Sequence, residues 1–297
     1  MTDNEFALAD RIQKIKSINE QYDLEHNAYI SFSGGKDSTI LHYLIDEALP
    51  NNNIPRLFLN TGIEYKDILN FVRELAEKDK RIIIYNVGVN IPKMLEEEGY
   101  PFKSKIHSQK VAEWRRGYRA KSHRQYFRLE GGGLKCPHAL LYQTEDTRLK
   151  ISDKCCVYLK KKPAEDWSKA NKRPITITGM RASEGGQRMN INCIVINRSH
   201  KFVKFHPLSI VSNEFEDWYI KHRDIQLCKL YYPPFNFTRT GCKGCPYTPW
   251  LSKDLELLKT YLPSEAKQCE RLWKPVYDEY RRIGYRLNKQ GDNYGNN

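Results

Sequence analysis

The sequence lacks the features that would fix a chain to a membrane or send it out of the cell. No apolar run approaches the roughly 18 residues that a spanning helix needs. The start, Met1-Thr2-Asp3-Asn4-Glu5-Phe6, has neither the basic stretch nor the apolar core of a secretory leader. The expected location is therefore cytoplasmic, with no membrane partner. Thiols stay reduced there, so the eight cysteines read as ligands, catalysts or core residues, not as a disulfide framework. No internal repeat is visible, which sets repeat architectures aside. Acidic residues are in deficit, with 36 Asp and Glu against 49 Lys and Arg, giving a formal net charge of +13. A surplus of that sign attracts nucleotides, nucleic acid and other polyanions. It is uneven: residues 101–150 carry 12 Lys and Arg against 4 Asp and Glu.

What is present is ordinary for a globular chain. The 297 residues are 40% hydrophobic and 29% charged, enough for one large domain or a core with an added lobe. The 19 Tyr, 11 Phe and 5 Trp argue against general disorder.

Periodicity predicts an amphipathic helix over 5–22, with Phe6, Ala9, Ile12, Ile15 and Ile18 on one face. A short strand at 28–32 runs into a glycine turn and a helix that ends before Pro50. A second strand at 56–59 is followed by Asn60-Thr61-Gly62 and a helix over 66–78. A third strand spans 81–85 and a fourth 174–178, with further strands at 192–197 and 202–205. Strands alternating with helices imply parallel pairing and right-handed crossovers. The basic stretch predicts a helix over 107–128, a Gly131-Gly132-Gly133 joint and a second helix after Pro137. Two C-terminal helices are expected at 253–261 and 264–283, followed by ten frayed residues. This gives a nucleotide-binding α/β core over 1–212, interrupted by a basic helical insertion at about 104–150. A helical segment over 213–297 carries a CxxC pair.

Ser33-Gly34-Gly35-Lys36-Asp37-Ser38 sits between a buried strand and a helix. Glycines there let the backbone approach a polyanion closely, and turn and helix N–H groups point at it. Ser33 and Ser38 add hydroxyls, Lys36 adds a charge, and Asp37 caps the helix or helps to hold a metal. This is not the G-x-x-x-x-G-K-[ST] loop. It resembles the SGGKDS signature of the PP-loop ATP pyrophosphatase superfamily, where the loop grips the pyrophosphate part of ATP or a related anion. The fold implied is a Rossmann-like, adenine nucleotide alpha hydrolase-like parallel-sheet core. Asn60-Thr61-Gly62 resembles the phosphoadenylyl-sulfate (PAPS) reductase branch, in which a Thr-Gly pair closes the second strand beside the nucleotide. Asn60 and Thr61 then contact adenosine, or merely cap the next helix.

Cys155-Cys156 and Cys242-Lys243-Gly244-Cys245 supply four thiolates for a tetrahedral metal or an iron–sulfur cluster; unliganded thiols are the plainer reading. The C-C…C-x-x-C arrangement resembles adenylyl-sulfate (APS) reductases, whose four cysteines bind a 4Fe–4S cluster. That match puts Lys160 between cluster and substrate. Thr178-Gly179-Met180-Arg181, followed by Arg188, resembles the family's T-G-x-R…R segment, where arginines receive the anionic end of the substrate; the alternative is surface arginines. The resemblance assigns catalytic roles to Lys36, Asp37, Lys160 and Arg181, and Mg²⁺ is expected beside the ATP or related adenylyl nucleotide.

The Glu-Cys-Gly-[Leu/Ile]-His motif that carries the catalytic thiol of APS and PAPS reductases is missing. The only cysteine after Cys245 is Cys269. Other cluster-bearing PP-loop proteins adenylate a target and replace the adenylate with sulfur, among them tRNA thiolases and DNA phosphorothioation sulfurtransferases. The basic segment 103–150 suits such a nucleic-acid target, with Trp114, Tyr118, Tyr126 and Phe127 among Arg115, Arg116, Arg119, Arg124 and Arg128. Those aromatics either stack on bases or face a core. The leading expectation is α-phosphate cleavage with cluster-assisted sulfur transfer, served by a sulfur or electron donor protein. Its rivals are a sulfite-releasing APS/PAPS reductase using Cys269 or a partner thiol, and a non-enzymatic nucleic-acid-binding or redox-regulatory protein.

Overall fold

Short β-branched and aromatic runs alternate with amphipathic stretches, and the chain folds accordingly in the computed structural model, which describes residues 1–145, 147–185 and 188–287. The helices in chain order are α1 (Asp3–Tyr22), α2 (Leu24–Asn27), α3 (Lys36–Ala48), α4 (Lys66–Lys78), α5 (Ile91–Glu98), α6 (Lys105–Arg115) and α7 (Lys121–Tyr126). They continue with α8 (His138–Glu145), α9 (Lys162–Ala170), α10 (Asn213–His222), α11 (Leu251–Tyr261), α12 (Pro263–Leu272) and α13 (Lys274–Ile283). The strands are β1 (Ala28–Ser31), β2 (Arg56–Asn60), β3 (Ile82–Asn86), β4 (Ile175–Ile177), β5 (Ile194–Ile196) and β6 (Phe202–Phe205). They form one sheet in the order β3-β2-β1-β4-β6-β5. Every neighbouring pair is parallel except β5 with β6.

Two compact units emerge, and their boundaries differ from the expected split at residue 212. The first comprises Met1–Val87 and Pro163–Gly241; the second comprises Gly88–Lys162 and Cys242–Asn297. The chain leaves the sheet after β3, builds most of the second unit, returns for β4, and leaves again after residue 241.

In the first unit, α1, α3 and α10 pack on one another. Tyr29, Leu57 and Trp167 of α9 form an apolar cluster joined by Leu59 and Ile83. The buried face of α1 is Leu8, Arg11, Ile15 and Ile18, which keeps Ile15 and Ile18 of the expected set, and Phe6 is 68% exposed. Arg11 donates to the Pro207 carbonyl at 3.2 Å and pairs with Asp10, which satisfies its buried charge. The β2 start is tied to α3 through Asp46, which pairs with Arg56 at 2.5 Å and Arg81 at 2.8 Å. His42 and Asp79 complete that network, so this trio of ligand-type side chains already has two arginines in place of a cation.

The second unit is helical. The expected helix over 107–128 is two helices, α6 and α7, broken around Gly117 at φ +89°. The expected helix over 264–283 is also two, α12 and α13, because Pro275 starts a new first turn. The expected frayed end, 288–297, lies outside the described residues. No helix among the described residues is long and apolar enough to cross a membrane.

Candidate active site and thiol quartet

The strand order reverses at β1, whose neighbours β2 and β4 are reached by crossovers in opposite directions. Such a switch point opens a crevice at the carboxyl ends of the strands. The 33–38 loop follows β1 and Arg181 follows β4, so the sheet brings two predicted segments to the same edge.

Gly34 has φ +68°, and a Cβ there would lie 2.6 Å from Val72 Cγ2 and 3.1 Å from Ile68 Cγ2. Only glycine lets the turn press against α4. Ser33 and Ser38 face each other at 3.0 Å between hydroxyls, and the Ser38 hydroxyl donates to the Gly35 carbonyl at 2.9 Å. The Lys36 N–H opens α3 and donates to the Tyr231 hydroxyl at 2.9 Å, which lies 2.6 Å from Thr240 Oγ1.

The charged groups converge on a residue that the sequence did not single out. Glu216, on α10, is fully buried. Its Oε2 lies 3.0 Å from Lys36 Nζ and 2.9 Å from Arg181 Nη2, as charge contacts without hydrogen-bond alignment. Arg181 also reaches Asp37 at 3.2 Å, the Ser183 hydroxyl at 2.8 Å and Asn213 Oδ1 at 3.0 Å. Burial, then the Asp37 carboxylate, push the Glu216 carboxyl upward, while Lys36 and Arg181 oppose the shift. Ser33, Lys36, Asp37, Ser38 and Arg181 thus share one neighbourhood. Arg188 instead pairs with Glu184, which also holds Arg239 at 2.9 Å.

At the end of β2, Asn60 donates to Asn86 Oδ1 at 2.8 Å. Thr61 and Gly62 turn their amides and the Thr61 hydroxyl onto Glu64, at 2.9, 3.1 and 2.7 Å. Neither Glu64 nor Glu216 belongs to a recognisable motif. The only sequence signal for Glu216 is an acidic residue among Phe215, Trp218 and Tyr219.

The second unit gathers the four predicted thiols. Cys155 and Cys156 lie 4.0 Å apart between sulfurs. The Cys155 thiol is pushed up by Cys156, then burial, with Cys245 and Cys242 adding to the shift. The Cys245 thiol is pushed up to about 12 by burial and Cys242, with Lys160 pulling the other way. Lys160 lies in a π turn, Val157–Lys161, directly after the Cys pair.

The C-terminal helices grip the CxxC loop by its carbonyls. Trp273 Nε1 donates to Lys243 O at 3.0 Å, Tyr277 to Gly244 O at 2.5 Å, and Tyr280 to Pro246 O at 3.0 Å. Gly244 allows this approach: a Cβ there would fall 2.6 Å from the Tyr277 hydroxyl and 2.8 Å from Cys269 Sγ. Cys269 is 1% exposed and its thiol is pushed up to about 12 by burial. That combination removes it as the accessible thiolate a reductase needs. In the basic segment, Tyr126 and Phe127 are buried, so two of the four aromatics expected near a nucleic acid are core residues. Tyr118 is exposed, and Trp114 carries the Arg119 guanidinium 3.7 Å from its ring centroid.

A curated relative, an uncharacterised protein of Methanocaldococcus jannaschii, is 33% identical over 103 residues, which are 32% of this chain and 25% of that protein. The chain thus spans about a quarter of the length of the curated relative it matches. Among solved structures, Candida auris PAPS reductase in a phosphate complex is 15% identical over 77% of this chain and 87% of that one, at a TM-score of 0.45. Candida glabrata FMN adenylyltransferase with ATP is 13% identical over 82% and 64%, at 0.48. The NH3-dependent NAD synthetase of Campylobacter jejuni is 14% identical over 94% and 96%, at 0.42. The model of the phosphoadenosine phosphosulfate reductase domain matches residues 27–131 and 134–248, from the strand before the phosphate loop through the second cysteine pair, and the chain belongs to that family.

Proposed function

We propose that this chain is a PAPS reductase-like PP-loop enzyme. It binds ATP or a related adenylyl nucleotide, cleaves it at the α-phosphate, and transfers sulfur to a polyanionic acceptor with the help of a 4Fe–4S cluster. The observation that carries this reading is the convergence of Lys36 and Arg181, at 3.0 and 2.9 Å, on one oxygen beside the α3 N-terminus. Two cations, a helix N-terminus and a glycine turn suit a pyrophosphate, whose charge grows as it leaves. The adjacent Asp37 and Glu216 carboxylates are oxygen donors suited to Mg²⁺, which when bound neutralises phosphate charge.

The order of the ligands favours a cluster over zinc, because the adjacent Cys155 and Cys156 lack the spacer that zinc knuckles keep between ligands. Cys155, Cys156, Cys242 and Cys245 would hold the cluster, and when bound it supplies redox or Lewis-acid chemistry to sulfur. Lys160 contributes positive charge beside those thiolates. Exposed Arg115, Arg116, Arg119, Arg124 and Arg128, with Tyr118, suit a nucleic acid, tRNA or DNA, as acceptor. A separate protein is the natural sulfur or electron donor, since Cys269 is buried.

The test is the nucleotide product of anaerobically purified protein incubated with labelled ATP, a sulfur donor and tRNA or DNA. AMP and pyrophosphate are expected, with loss of both in Lys36→Ala. ADP and phosphate, or sulfite released from a sulfonucleotide without ATP cleavage, overturn the assignment.

A further inference from the structure

The two sides of the β1 loop carry different groups. Toward β4 stand the cations Lys36 and Arg181, facing Asp37 and Glu216. Toward β2 stands Glu64, held by three donors from Thr61 and Gly62. Resting on the nucleotide-binding reading above, we propose that Glu64 is a specificity residue that reads the free ribose hydroxyls of the nucleotide and rejects a nucleotide phosphorylated on its ribose.

β1 and β2 are adjacent and parallel, with Ile30 opposite Arg56 and Ser31 opposite Leu57. Their carboxyl ends therefore lie about 4.8 Å apart at the same edge. A 5′-phosphate seated on the loop after β1 sends its sugar about that far, to the end of either β2 or β4. Lys36 and Arg181, the cations of the β4 side, favour the phosphates. The sugar is left with the β2 end.

Glu64 is built to stay there. The carboxylate turns back onto the strand end and does not cap α4, whose N-cap residue, Tyr65, makes no side-chain cap. An ionised carboxylate has about four acceptor sites. Oε2 takes the Thr61 and Gly62 amides, and Oε1 takes the Thr61 hydroxyl. One acceptor site on Oε1 remains for a donor, and a ribose hydroxyl is a donor. A ribose phosphate carries about −1.5 to −2 charges and, once doubly ionised, no donor. It would meet a held negative charge, and displacing Glu64 would break its bonds to the Thr61 and Gly62 amides and the Thr61 hydroxyl. The same physical choice, carboxylate for a free ribose and cation for a ribose phosphate, operates at the second strand of dinucleotide-binding folds. The family's name refers to a 3′-phosphorylated nucleotide; the charge layout of this chain points to one without that phosphate.

The experiment measures dissociation constants of AMP, adenosine 3′,5′-bisphosphate and adenosine 2′,5′-bisphosphate for the full chain by calorimetry. AMP should bind at least about thirtyfold more tightly than either bisphosphate, a ratio set by one like-charge contact near the surface. Glu64→Gln should narrow the ratio to within about threefold, while Glu64→Asp, which keeps the charge, should retain most of it. Equal affinities in the wild type, or an unchanged ratio in Glu64→Gln, overturn the inference and leave the nucleotide site standing. Failure of all three nucleotides to bind overturns both readings.

Discussion

Gly34 offers the sharpest test of how the phosphate loop is held. At φ +68° an alanine already costs about 1–2 kcal/mol in backbone conformation. Its Cβ would also stand 2.6 Å from Val72 Cγ2, where carbon atoms prefer about 3.5–4.0 Å. Val72 is fully buried and Ile68 is 2% exposed, so neither can swing away cheaply. Overpacking of this kind costs a further ~1–3 kcal/mol. Gly34→Ala should therefore destabilise the protein by about 3 kcal/mol. On the proposed function, pyrophosphate should raise the melting temperature of the wild type, and Gly34→Ala should abolish that rise because the Gly35 and Lys36 amides move with the turn. Val72→Ala removes the opposing methyl and alone costs about 2 kcal/mol through the cavity. In the double variant the Val72 clash disappears, and the backbone share of the Gly34→Ala penalty remains together with the tight 3.1 Å contact to Ile68. The double-mutant cycle should return a favourable coupling of about 1–2 kcal/mol, with part of the pyrophosphate response restored. Urea unfolding of the four proteins gives the cycle. Strict additivity, or a Gly34→Ala protein as stable and as responsive as wild type, would refute the account.

Stability should fall as pH drops from about 6.5 to 4. His42, His107 and His206 are each driven down to about 4, by burial first and then by Arg56, Lys103 and Lys204 respectively. The unfolded chain binds protons in that window and the folded chain does not, so the stability present above 6.5 is lost toward 4, by at most roughly 3 kcal/mol per histidine. A urea midpoint unchanged between pH 7 and 4.5 would contradict this. Cys269→Ala should keep nucleotide turnover within about twofold, since a buried thiol near 12 supplies no thiolate; loss of turnover in a folded Cys269→Ala protein would restore the reductase reading.

The phosphate loop was legible because its requirements are local. A buried strand, a residue that must adopt positive φ and a helix start all fall within eleven residues of sequence. The sheet edge was legible for a similar reason, since β-branched runs alternate with helical ones. What faces the loop was not legible. Glu216 and Tyr231 come from far along the chain, and periodicity reveals that a helix has an apolar face without naming what that face meets. The face of α1 shows the same limit: Leu8, Arg11, Ile15 and Ile18 share helical spacing as well as the expected apolar set does, and a buried arginine with its partners outcompeted Phe6. The compact units depart from the expected division for a topological reason. A boundary read from left to right assumes that each unit is continuous, and here both are built from two segments.

That discontinuity accounts for the placement of the cysteines. Each pair lies close to a point where the chain passes between units: Cys155 and Cys156 shortly before residue 163, and Cys242 directly after residue 241. The two segments of the second unit therefore contribute one pair each, and the unit assembles its quartet only when both are present. Gly244 and the carbonyls around it would be loose in isolation. Trp273, Tyr277 and Tyr280 supply the order, each donating to a different carbonyl of the loop. Their spacing of four and three puts all three on one helical face, a pattern visible in the sequence without any metal motif. An aromatic stripe that ends in donors, rather than plain hydrocarbon, is what a backbone loop with unpaired carbonyls needs as a partner. The C-terminal helices are thus the scaffold of the thiol quartet, and their removal would cost the site its geometry before it cost the first unit its sheet.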